Sequence, residues 1–245
     1  MKNKLLNLDD PNLTIERKET ILNNKFLRNI YAEWYGNFTN TKLPDGKLLE
    51  IGSGGGFLKD VLPKLITSDI LDLPFIEMKL DAQELPFESN SLAGIFMVNV
   101  FHHIPNPELF LKEAERVLVP SGQIIMIEPA NTFISRIIYK NLHHEPFEPN
   151  GGWTIESGKP LSNSNQALPY IYFERDVEKF NSTFPNLNIQ SIKYHTPLKY
   201  LVSGGVSRKA FVPIKSYSFF TFLEKILTPL NKYISLFETV VLSRK

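Results

Sequence analysis

From Thr14 to Phe38 the apolar residues Ile15, Ile21, Leu22, Phe26, Leu27, Ile30, Tyr31 and Trp34 recur on one helical face, with charged and amide side chains between them. This predicts a single helix. Pro44-Asp45-Gly46 then signals a turn, and Lys47-Leu48-Leu49-Glu50-Ile51 reads as a short strand. A helix is expected from Phe57 to Leu62, interrupted by Pro63, followed by strands over 65–70, 77–80 and 93–100. The connection from Leu71 to Met78 is too short for a crossover helix and contains Pro74, so it reads as a loop. Pro107 to Val119 has the strongest helical pattern; Pro120-Ser121-Gly122 ends it, and a fifth strand covers 123–128.

Beyond Asn131 the periodicity fades. The segment from Asn131 to Leu168 is rich in Asn, Pro, Gly and His and reads as irregular. A helix is expected over 173–184, a strand over 187–195, a helix over 216–236 kinked at Pro229, and a last strand over 237–242. Alternation of strands with helices points to a parallel sheet covered on both faces. The runs Gly94-Ile95-Phe96-Met97-Val98 and Ile124-Ile125-Met126-Ile127 suit its centre.

Composition adds exclusions. The 245 residues carry 27 basic and 26 acidic side chains, so no net field draws the chain to nucleic acid or an anionic membrane. There is no cysteine, which removes disulfides, thiolate metal sites and thiol nucleophiles. Met1 to Leu6 is basic without the apolar run of a signal peptide, no stretch is long enough to span a membrane, and the expected location is cytoplasmic.

The chemistry concentrates at Glu50-Ile51-Gly52-Ser53-Gly54-Gly55-Gly56, between a strand and a helix. Glycines there let the backbone turn and let a ligand approach closely. A dinucleotide fingerprint would need glycine where Phe57 stands, and the acid at Glu50 suits a cation better than a pyrophosphate. Asp69 follows nineteen positions after Glu50, where a carboxylate can accept from a ribose diol; Asp81-Ala82-Gln83-Glu84-Leu85-Pro86-Phe87 follows the third strand.

These segments resemble the first motif and the ribose and adenine motifs of class I S-adenosylmethionine-dependent methyltransferases. The likeness is good over residues 47–129 and includes His102-His103-Ile104-Pro105 and the turn from Arg116 to Gly122. It implies an α/β, Rossmann-like, doubly wound, seven-stranded and mostly parallel sheet with a C-terminal antiparallel strand and an irregular insertion after strand five. One domain over 1–245 is expected: a helical cap (1–46), a cofactor-binding half (47–129), an insertion or lid (130–170) and a C-terminal half (171–245).

The resemblance assigns S-adenosylmethionine as cofactor. Glu50 would serve its amino group, Gly52, Ser53, Gly54 and Gly56 its amino-acid end, Asp69 the ribose, and Asp81 with Ala82 the adenine. Asn99 would stand nearest the methyl group. The short connection after Asp69 departs from the family pattern and leaves Asp72 as an alternative ribose ligand.

For an oxygen or nitrogen acceptor a base is needed, and histidine is the natural one. His143 and His144, in the irregular segment, are the candidates, with turn histidines bonded to backbone as the alternative; His102 and His103 read first as packing or capping residues and second as lining the cofactor pocket. No metal is expected at His143-His144, since adjacent histidines diverge in regular structure and only carboxylates and His102-His103 could complete a site. The aromatic residues Tyr31, Trp34, Tyr35, Trp153, Tyr170, Tyr172 and Phe173 fit either an acceptor pocket or the core. The apolar run from Ser216 to Leu230 reads first as packing on the sheet, and second as docking on a membrane or lipid, because Lys215, Lys225 and Lys232 flank it. A small-molecule acceptor, apolar or lipid-like, is expected. A non-catalytic binding module and a nicotinamide-dependent oxidoreductase are the alternatives.

Overall fold

A computed structural model describes residues 8–206 and 208–245. The basic run Met1 to Leu6 and the start of the 1–46 cap lie outside the described residues. Seven strands form one sheet: β1 (Lys47–Ile51), β2 (Leu65–Asp69), β3 (Met78–Lys79), β4 (Leu92–Val98), β5 (Leu118–Pro129), β6 (Leu187–His195) and β7 (Phe237–Arg244). Their order is β3-β2-β1-β4-β5-β7-β6. The β1–β2, β2–β3, β1–β4 and β4–β5 pairs are parallel, and β7 is antiparallel to both β5 and β6. β4 is buried along almost its whole length and β5 from Ile124 to Pro129, as expected for central strands covered on both faces.

The order reverses beside β1, where β2 lies on one side and β4 on the other. The crevice at the carboxyl ends of β1 and β4 is where open α/β sheets bind their ligands.

Several elements differ from expectation, each for a local reason. The first helix is two, α1 (Pro11–Asn23) and α2 (Lys25–Thr39), because Asn24 leaves helical geometry and its side chain accepts from the N–H of Leu27 as a cap. The expected helix over 57–62 is one 3-10 turn, Phe57–Asp60. Only Leu58 of that turn is buried, and Pro63 forbids continuation.

Pro120 to Gly122 does not precede β5 but lies within it. Ser121 has φ 64°, and the β4 register jumps from Leu92↔Leu118 to Gly94↔Gln123, so these residues bulge out of the ladder. After α3 (Pro107–Val117) and β5, the segment expected to be irregular contains α4 (Phe133–Leu142). Thr132 and Ser135 exchange side-chain and backbone hydrogen bonds at its start, a capping box with serine in place of the usual acid or amide.

The helix expected over 173–184 is α5 (Leu168–Tyr170), a π turn (Ile171–Arg175) and α6 (Val177–Thr183). A short α7 (Lys199–Ser203) was not expected. The apolar 216–236 run is α8 (Tyr217–Leu227), a 3-10 turn at Thr228–Leu230 and α9 (Asn231–Ile234). α8 does not pack on the sheet. It leans on α2 through Phe26, whose ring meets Tyr217 at 4.9 Å and Phe220 at 6.1 Å, and none of its residues is fully buried.

Of the seven aromatic candidates, Trp34, Tyr35, Trp153, Tyr172 and Phe173 belong to the core, while Tyr31 and Tyr170 are partly buried against it.

Candidate active site

The chain leaves β1 through three left-handed glycines: Gly52 (φ 65°), Gly54 (φ 51°) and Gly56 (φ 72°). At Gly52 a Cβ would also lie 2.3 Å from a methyl of Val100, so sterics and backbone both demand glycine. The loop is tied to β2. Ser53 N–H donates to Ser68 O (2.8 Å), Ser68 N–H to Ser53 Oγ (3.1 Å), and Ser68 Oγ to Glu50 O (2.6 Å).

Asp69 completes the tie. Its Oδ2 accepts from Gly54 N–H and its Oδ1 from Leu71 N–H, both at 3.0 Å. Burial raises its pKa, and these backbone donors oppose the rise. Asp72 is exposed, on the outer side of the same turn.

Glu50 is buried at the mouth of the loop, 3% exposed, and its Oε2 has no hydrogen-bond partner among the described residues. Burial pushes its pKa to about 8; the Ser53 hydroxyl pulls down and the nearby Asp69 charge pushes up. A buried acceptor without a donor is costly unless a ligand supplies one, and a cation suits best.

Asp81 is exposed, and its carboxylate accepts from the N–H (2.8 Å) and side-chain amide (3.1 Å) of Gln83, while Ala82 is buried. Asn99, just past β4, has φ 56° and donates its N–H to Ile127 O at 2.8 Å. Asparagine tolerates this left-handed conformation better than most residues, and such positions concentrate at functional sites. Over the glycine loop lies α1, whose Lys18 Nζ donates to Gly55 O (2.7 Å) and stands 3.8 Å from the Phe75 ring centroid.

Next to the crevice is a second cluster that only the folded chain reveals. Glu128, near the end of β5 and fully buried, accepts from the N–H groups of Val100 and Phe101 at 2.8 Å through Oε1. Its Oε2 lies 2.5 Å from His102 Nδ1. Glu145, from the insertion, faces four histidines: His102 at 3.4 Å, His103 at 3.7 Å, His144 at 3.6 Å and His143 at 3.9 Å. Gln166 Nε2 donates to Glu145 Oε2 at 2.8 Å and lies 2.7 Å from His143 Nδ1.

Burial pushes His102 down, but the Glu128 and Glu145 carboxylates together outweigh it and raise its pKa to about 9. His103 falls to about 4 through burial and the neighbouring His102 charge. Burial raises Glu145, yet the histidines around it hold it well below the usual carboxylate range, while His143 is lowered by burial. His143 and His144 stack at 4.6 Å on the exposed rim. The fold therefore brings His143 and His144 to His102 and His103, and makes His102 part of a buried ion pair rather than a simple packing residue.

A family model described as a methyltransferase domain matches residues 49–126, the stretch that runs from β1 through the glycine loop into β5. Over these residues the chain is similar to the class I S-adenosylmethionine-dependent methyltransferases. This chain is similar to a demethylmenaquinone methyltransferase of Symbiobacterium thermophilum, with 27% identity over 146 residues, 58% of this chain and 55% of that protein. It thus spans about half the length of that curated relative.

Among solved structures, one from Thermotoga maritima described as a possible histamine N-methyltransferase aligns with TM-score 0.52 and 16% identity, covering 89% of this chain and 96% of that one. A phosphoethanolamine N-methyltransferase of Haemonchus contortus aligns at 0.51 and 13%, covering 96% and 57%. A geranyl diphosphate C-methyltransferase of Streptomyces coelicolor aligns at 0.50 and 11%, covering 98% and 89%. These structures share the fold. In this chain, Glu128, Glu145 and Gln166 are site neighbours that sequence reasoning missed, because no local pattern links β5 to the insertion.

Proposed function

We propose that this chain transfers the methyl group of S-adenosylmethionine to a small, apolar or lipid-like acceptor. The observation that carries this reading is the unpartnered, buried Oε2 of Glu50 beside a glycine cradle, a combination suited to a ligand with an ammonium group. When bound, the cofactor supplies an activated methyl group. The protein's part is to align donor and acceptor, exclude water and take up a proton where the acceptor carries one.

In this reading Glu50 pairs with the cofactor's ammonium, and Gly52, Ser53, Gly54 and Gly56 let the backbone close on its amino-acid end. Asp69 keeps lone pairs free beyond the two backbone N–H groups it already accepts, enough for a ribose diol. Asp81 and the Ala82 backbone face the adenine, and Asn99 stands closest to the transferring methyl. His143 and His144, on the rim of the cluster, act on the acceptor side.

The 1–46 cap and the 130–170 insertion would act together as a cover. Asp9 accepts from Leu161 N–H (2.8 Å) and from the Ser162 hydroxyl (2.5 Å), while Lys18 holds the glycine loop. Support for a lipid-like acceptor comes from the outer face of α8 and its neighbours: Phe211, Phe219, Phe222 and Ile226 are each more than half exposed, beside exposed Lys215, Lys225 and Lys232. No helix among the described residues is long and apolar enough to cross a membrane, so contact there would be peripheral. The relatives named above include proteins described as acting on demethylmenaquinone and on geranyl diphosphate, which favours the same acceptor class.

The test is transfer of label from methyl-labelled S-adenosylmethionine. Label passing into the organic phase with a lipid extract, and not with a polar metabolite fraction, supports the acceptor class; the reverse removes it.

A further inference from the structure

We propose that His102, His103 and Glu145 form a binding site for one divalent transition-metal ion of the zinc type. The three residues offer ligand atoms within 4.8 Å of one another. Both imidazoles are arranged as metal ligands usually are, with one ring nitrogen engaged by a fixed acceptor and the other free. His102 Nδ1 is held by the buried Glu128 carboxylate at 2.5 Å, and His103 Nδ1 by the carbonyl of Asn163 at 3.4 Å. Each Nδ1–H then points at its acceptor and each Nε2 faces Glu145, where a metal ion would take the place of the His102 Nε2 proton.

The separations fit a coordination shell better than a hydrogen-bonded one. His102 Nε2 lies 3.4 Å from Glu145 Oε2, and His103 Nε2 lies 3.7 Å from Oε1. Both exceed the usual range for a charge-assisted hydrogen bond. Ligands about 2.0–2.1 Å from a tetrahedral zinc stand about 3.3–3.4 Å apart, close to the two histidine–carboxylate distances, while the set as a whole lies within 4.8 Å.

Adjacent histidines diverge in a strand, but these two lie in a 3-10 turn, Phe101–His103, and their rings are 4.3 Å apart. Gln166 orients Glu145 by donating at 2.8 Å to Oε2, the oxygen that faces His102. Two nitrogens and one carboxylate suit zinc or a neighbouring first-row ion rather than magnesium or calcium, which prefer oxygen shells. The remaining position opens toward His144 on the half-exposed rim, which leaves it to that ring, to water or to an acceptor oxygen.

The site does not depend on methyl transfer, so its test does not either. Full-length protein is stripped with a chelator and titrated with Zn2+ by calorimetry and with Co2+ by visible absorption. Wild type is expected to bind one equivalent and, with cobalt, to show the intense visible bands of a low-coordinate site. His103→Ala and Glu145→Gln should each weaken zinc binding beyond the roughly 10–100-fold typical for losing a supporting residue outside the ligand set. Thermal melts and S-adenosylhomocysteine binding by both variants report whether they fold and whether the cofactor site survives. If stripped wild type binds neither metal, or if both folded variants bind zinc as wild type does, the assignment is overturned.

Discussion

Asp69 accepts the backbone N–H of Gly54 at 3.0 Å, joining the end of β2 to the middle of the glycine loop. The same carboxylate accepts from Leu71, so one side chain shapes the loop on one side and the turn after β2 on the other. Asp69→Ala leaves two backbone donors without their acceptor. It should cost about 1–3 kcal/mol of stability and weaken S-adenosylmethionine binding at least tenfold. Urea unfolding and calorimetry read the two effects separately; a variant that loses stability but keeps full affinity would remove Asp69 from the cofactor site.

Glu50 gives a pH signature. Its pKa rises from the ordinary 4.5 to about 8 in the folded chain. Between those values the folded state holds a proton that the unfolded state has released, so this group's contribution to stability falls as pH rises through that window. An ammonium ligand favours the ionised form. Binding near pH 7 should therefore release about one proton, and affinity should climb toward pH 8. Calorimetry in two buffers of different ionisation enthalpy measures the proton count, which should vanish in Glu50→Gln.

Lys18 reaches from α1 to the Gly55 carbonyl at 2.7 Å. Lys18→Ala should raise amide exchange at Gly54 to Gly56 and weaken cofactor binding about fivefold, the value of one hydrogen bond of about 1 kcal/mol. Unchanged exchange in the loop would mean that the α1 contact does not hold it.

The exposed face of α8 makes a separate prediction. Phe219, Phe222 and Ile226 are 57%, 60% and 57% exposed, so replacing all three by serine should leave stability nearly unchanged. Binding to anionic lipid vesicles in a flotation assay should fall by about tenfold or more, with cofactor affinity intact. Equal flotation of wild type and the triple variant would assign this face another role.

The sheet was legible in the chain because its central strands are buried on both faces and read as apolar runs, as at Ile124 to Ile127. The glycine loop was legible because Glu50, Gly52 and Asp69 keep their order and spacing at consecutive strand ends. α4 was hidden because exposed Phe133, Ile137 and Leu142 blur the narrow stripe that Ile138 and Tyr139 turn inward. The turn at Phe57–Asp60 was overread as a helix because its apolar residues looked periodic, although Leu58 alone is buried. The cluster around Glu145 could not be read locally. Its histidines come from two distant turns, and the groups that fix them, Glu128 and Gln166, come from β5 and from the end of the insertion.

The most direct measurement is isothermal calorimetry of S-adenosylmethionine and S-adenosylhomocysteine with wild type, Asp69→Ala and His144→Ala. The expected result is one site on wild type, lost or strongly weakened in Asp69→Ala and retained in His144→Ala, since the histidine rim serves the acceptor side. Absence of binding by folded wild type, with or without a candidate acceptor, would contradict the methyltransferase function proposed for this chain.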